Sequence, residues 1–104
     1  MKGFKAMNKK IDKDLLDKLY EAVVLLETKE ECKNFFLDLC TINELKAMSQ
    51  RLQVAKMLKD DVIYQKIADE TGASTATISR VSRSLNYGTD GYNMILEKLE
   101  KKDV

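Results

Sequence analysis

The chain has 104 residues, 34% of them charged, a net charge of +1 and no proline or tryptophan. It is too short for two hydrophobic cores, and its composition fits one wholly or mostly helical domain. It has no His and only two Cys, which excludes a Cys/His zinc site. No apolar run of about 18 residues and no secretory leader is visible, so a cytoplasmic protein without a membrane span is expected.

Charge is laid out in blocks, and the blocks follow the elements. Residues 1–10 make a basic arm with Lys2, Lys5, Lys9 and Lys10. This arm is expected to be flexible. Residues 11–104 are expected to form a single helical domain. Its first helix spans about Asp14 to Glu27, with Leu15, Leu16, Leu19, Tyr20, Val23, Val24, Leu25 and Leu26 as a broad apolar surface. Thr28 followed by Glu31 is a capping box, in which hydroxyl and carboxylate each satisfy an unpaired backbone amide. The box opens a second helix carrying Cys32, Phe35, Phe36, Leu37, Leu39 and Cys40. The two cysteines are eight residues apart on that helix, about 12 Å at the normal rise, too far for an intrachain disulfide. They read as small hydrophobes.

Thr41 with Glu44 repeats the box and opens a third helix. Its stripe is Leu45, Met48, Leu52, Ala55 and Leu58, with Ala47, Val54 and Met57 beside it, and Lys46, Arg51, Lys56 and Lys59 make it basic. Three helices with more apolar surface than one neighbour can cover point to a helical homodimer. Each Å² left wet costs about 25 cal/mol. A compact monomeric bundle is the alternative.

Residues 62–85 carry the densest pattern. Asp60 or Asp61 can cap a helix through Tyr64, Ile67, Ala68 and Glu70. Gly72 suits a left-handed turn, and Ser74 can cap a following helix from Thr75 to about Leu85. Two helices joined by a short Gly-containing turn make a helix-turn-helix. The close crossing requires a bulky and a small residue side by side, supplied by Ile67 and Ala68. The second helix must return apolar side chains at a three-residue interval, supplied by Ile78 and Val81.

The outward face is then Thr75, Ala76, Thr77, Ser79, Arg80 and Arg83, preceded by Ser74. No acid occurs between Gly72 and Leu85. Small hydroxyls and a methyl suit phosphates and thymine, and arginines suit guanine edges or phosphates. These seven residues are the candidate contacts to double-stranded DNA. The tail adds a turn around Gly88 and Gly91 and a final amphipathic helix through Tyr92, Ile95, Leu96 and Leu99.

Leu39 to Leu85 resembles the core of the Trp repressor superfamily, and the whole chain resembles its TrpR-like YerC/YecD family. The resemblance is carried by Thr41-x-x-Glu44, Arg51 on the long helix, Ala76-Thr77-Ile78-x-Arg80, and Ser84-Leu85. It implies an all-α fold of about six helices, an intertwined homodimer of the Trp repressor type, and two heads reading half-sites about 34 Å apart. It also implies an effector or phosphate site at Thr41, Arg51, Arg80 and Ser84. The tryptophan-binding member has glycine after the recognition-helix arginine and proline after the threonine, whereas this chain has Val81 and Ile42. A branched side chain would fill the space an indole needs, so no tryptophan corepressor is expected, and Arg51 and Arg80 are left for phosphates or acidic partners.

The expected function is therefore a sequence-specific DNA-binding transcriptional regulator, a repressor by family likeness, with no metal, cofactor or catalytic residue assigned. A helical protein–protein interaction module without DNA binding is the alternative. An enzyme is not expected, because no nucleophile with a nearby base and no phosphate-binding loop can be named.

Overall fold

The computed structural model describes residues 12–103, and within them the chain forms six α-helices and no strand. The basic arm at residues 1–10 lies outside the described residues. The helices are α1 (Asp12–Val24), α2 (Lys29–Leu39), α3 (Ile42–Lys59), α4 (Tyr64–Thr71), α5 (Thr75–Tyr87) and α6 (Gly91–Asp103). They divide into two compact units, with the boundary between Thr41 and Ile42.

In the first unit, α1 ends earlier than its apolar pattern suggests. The amide of Leu25 is shared between the Glu21 and Ala22 carbonyls, and Leu26 N–H donates to Val23, so the last turn tightens and stops. The cause is the next cap. Thr28 takes an extended backbone and accepts from the Glu31 amide at 3.0 Å, while the Glu31 carboxylate accepts from the Glu27 amide at 2.9 Å. A chain committed to this box at residues 27–31 has left the preceding helix. Phe35 and Phe36 meet edge to face, with ring centroids 5.6 Å apart, a favoured aromatic geometry. Cys32 and Cys40 are free thiols and half-buried. No described residue of this unit is fully buried, and Val24 and Leu25 are 80% and 76% exposed.

The second unit holds the core: Val54, Ala55, Ile67, Ala73, Ile78, Val81 and Leu96, edged by Met57, Leu58, Val62, Ala68, Leu85 and Tyr92. Each fully buried Val or Ile contributes roughly 1.5–3 kcal/mol. α3 packs on α4, α5 and α6, and α5 packs on α4 and α6. The inward face of α3 is centred on Val54 and Ala55, whereas Met48 and Leu52 of the expected stripe are open. The helix is apolar on two sides, and within the second unit only one of them is packed against the core.

The start of α4 departs from expectation. Asp60 and Asp61 do not cap it. Asp61 has φ 60° and its amide donates to Leu58, while Val62 N–H reaches back to Met57. This pair of bonds is a Schellman closure of α3, with an acid at the left-handed position usually held by glycine. The residue preceding α4 is Ile63, which makes no side-chain cap bond. Beside this closure, the hydrogen bond and charge of Asp60 hold the Lys56 ammonium above its ordinary pKa. The pair is 2.9 Å apart and exposed, so it adds little stability.

Two further turns frame α5. Gly72 has φ 74° and donates its amide to Ala68, ending α4 as expected. At the other end, a Cβ on Gly88 would run into the Ser84 carbonyl, so only glycine lets the chain turn there. Asn93 on α6 donates to the Leu85 carbonyl at 3.3 Å and to the Asp90 carboxylate at 2.9 Å, tying the end of α5 to α6.

Candidate nucleic-acid interface

α4, the turn at residues 72–74 and α5 form a helix-turn-helix whose interior matches the sequence pattern. Ile67 and Ile78 are fully buried, Val81 is 1% exposed, and Ala68 is half-buried against the core. The turn contributes Ala73, which is buried and was not foreseen. It is small, lies between Gly72 and Ser74, and its only local signal is its lack of bulk.

Ser74 caps α5. Its hydroxyl accepts from the Thr77 amide at 3.1 Å and donates to the Thr77 hydroxyl at 3.1 Å. Thr77 is therefore half-buried and occupied by the cap, unlike the rest of the expected outer face. Thr75, Ala76, Ser79, Arg80 and Arg83 are exposed, as is Ser74 itself. Among the described residues neither Arg80 nor Arg83 forms an ion pair. The helix is thus divided lengthwise, with the apolar side inside and the hydroxylic and cationic side in solvent. α5 also runs two residues further than expected, to Tyr87, which is almost fully exposed.

The electrostatics follow from where the acids are. Gly72 to Thr89 contains none. The nearest acids in the chain before it, Asp69 and Glu70, are engaged on α4 itself: Gln65 donates to Asp69 at 3.0 Å, and Lys66 lies 3.8 Å from Glu70. Arg80 and Arg83 therefore project from a helix that carries no carboxylate of its own, a condition that favours a polyanion.

The candidate effector residues are distributed differently. Arg51 is half-buried on α3, the helix on which α5 packs. Arg80 is on the exposed side of α5. Ser84 lines an apolar groove of about 480 Å³ with Leu52, Gly88, Thr89, Gly91, Tyr92 and Ile95. Thr41 belongs to the first unit, immediately before α3. Val81, the residue expected to close an indole site, has its side chain in the core.

A second groove of about 520 Å³ lies between α3 and α6, lined by Ser49, Leu52, Gln53, Lys56, Leu96, Leu99 and Glu100. Leu52 is common to both grooves. Among the described residues no helix is long and apolar enough to cross a membrane.

Comparison with known proteins gives a consistent result. Residues 14–100 match the family model described as Trp repressor protein. The protein YerC of Bacillus subtilis (strain 168) is 53% identical over 88 residues, covering 85% of each chain. Among solved structures, a candidate Trp repressor from Staphylococcus aureus superposes with a TM-score of 0.80 at 54% identity, over 88% of this chain and 94% of that one. A TrpR-like protein from Eubacterium eligens ATCC 27750 also gives a TM-score of 0.80, at 52% identity over 84% and 90% of the two chains.

Proposed function

Since the chain belongs to the Trp repressor protein family, we propose that it is a sequence-specific DNA-binding transcriptional regulator that acts as a homodimer through its helix-turn-helix, without tryptophan as corepressor. On this reading it is a repressor, works in the cytoplasm and is not an enzyme. The observation that carries the proposal is the lengthwise division of α5. Ile78 and Val81 are buried, while Thr75, Ala76, Ser79, Arg80 and Arg83 are exposed in a stretch without acids. A face of this composition fits a major groove, with arginines for guanine edges and small side chains for phosphates and thymine methyls.

The homodimer is supported by apolar surface that one chain leaves open: Met48, Leu52, Ile95 and Leu99 in the second unit, and Leu15, Tyr20, Val24 and Leu25 in the first. A two-fold partner would also present the pair of heads that a palindromic site requires.

The test is selection of bound fragments from random duplex DNA at several salt concentrations. The expected result is a palindrome whose half-sites are spaced by about one helical turn, roughly 34 Å, with affinity falling steeply as salt rises. Recovery of unrelated fragments with no common sequence would overturn the proposal. The same exposed apolar surface favours one second reading, a helical interaction module that binds a protein and leaves DNA alone.

A further inference from the structure

The turn that aims α5 is held by a third element. Gln50, on α3, donates from Nε2 to the Thr71 carbonyl at 3.1 Å, a partly buried bond between residues 21 positions apart. Thr71 is the last residue of α4, and its carbonyl is one of the four that a helix leaves without an intrahelical partner. The Thr71 hydroxyl donates to the Ile67 carbonyl at 2.7 Å and accepts from the Ala73 amide at 3.1 Å. The main chain is therefore fastened on both sides of Gly72, the residue whose left-handed conformation reverses the path.

Apolar packing between α4 and α5 does not by itself fix their angle closely. Burial of Ile67, Ile78 and Val81 is non-directional and tolerates small sliding or rotation. A hydrogen bond restrains both distance and angle, and base-edge contacts of the kind assigned to Arg80 and Arg83 are demanding in both.

We infer that Gln50 is a positioning residue for the DNA-reading helix: its bond to Thr71 sets the direction in which α5 leaves Gly72 by reference to α3. This rests on the DNA-binding function proposed above. Gln50 adjoins Arg51, so the long helix presents a cation and orients the head from neighbouring positions.

The test uses Gln50→Met, which keeps an unbranched side chain of similar length and a good helix former but removes the donor, with Gln50→Ala as the second variant. Amide exchange at Gly72 and Ala73 is measured alongside affinity for the selected duplex and for a random one. Both variants are expected to speed exchange at the turn about tenfold. They are also expected to weaken binding to the selected duplex about fivefold, with affinity for random DNA and the salt dependence unchanged. Unaltered exchange in both variants would overturn the inference, as would faster exchange with undiminished selectivity or an equal loss on both duplexes. If the wild-type chain does not distinguish the two duplexes, the DNA function falls and the positioning role falls with it. The exchange rates would then report separately whether the tether exists.

Discussion

Arg80 and Arg83 differ from the other basic residues near the head by position. Lys66 is paired with Glu70, whereas the two arginines project from a helix with no acid of its own. Arg80→Ala is therefore expected to weaken binding to the selected duplex by about 1–3 kcal/mol, if its contact is bidentate to guanine, and to relax selectivity at one base position. The thermal midpoint should stay within about 1 °C, because an exposed side chain without a partner adds little to the fold. A variant that binds like the wild type would favour the protein-binding alternative. Val81 supports the opposite kind of expectation. Its side chain is in the core, and on the proposed reading without a corepressor tryptophan should not raise the melting temperature. A bound ligand at about one hundred times its dissociation constant would add about 2.7 kcal/mol, which calorimetry would detect easily.

At the scale of elements, α4 and α5 were legible because their determinants are local. Gly72, Ser74 and the Ile78–Val81 interval all lie within one turn and its two flanking helices. The α3–α4 junction was misread for a related reason: an acid before a helix has the signature of an N-cap, and only the backbone reveals that Asp61 closes α3 in a left-handed conformation. That conformation costs a residue with a Cβ roughly 1–2 kcal/mol, less for Asp than for most. Asp61→Gly is thus expected to stabilise the protein by about 0.5–1 kcal/mol, and Gly72→Ala, at φ 74°, to destabilise it by at least about 1 kcal/mol. Urea denaturation would measure both, and a loss of stability in Asp61→Gly would show that the acid has another role there. The Gln50 bond was out of reach of any local pattern, since its two partners are far apart in sequence. Equally, periodicity could not say which side of α3 faces inward, because both sides are apolar.

For the whole molecule, the exposed apolar residues set the balance. Leu52 lines the two grooves described above, so Leu52→Lys would place a charge where the proposed partner is expected to pack. Sedimentation equilibrium should show the wild type as a dimer and Leu52→Lys as predominantly monomer, with the helical circular dichroism signal partly reduced. A monomeric wild type at micromolar concentration would refute the proposed assembly. The six-helix class was legible from composition and caps, while the division into two units was not, because it depends on how the apolar faces are shared out. The core of the head is confined to residues between Val54 and Leu96 of a single chain. On the proposed reading, each head can therefore hold its own core before a partner arrives. Pairing would contribute valence rather than chemistry, since a second half-site contact made by a tethered head gains from an effective concentration on the order of millimolar. Occupancy of an operator would then respond more than linearly to how much of the chain a cell makes, giving a threshold that needs no small molecule to set it.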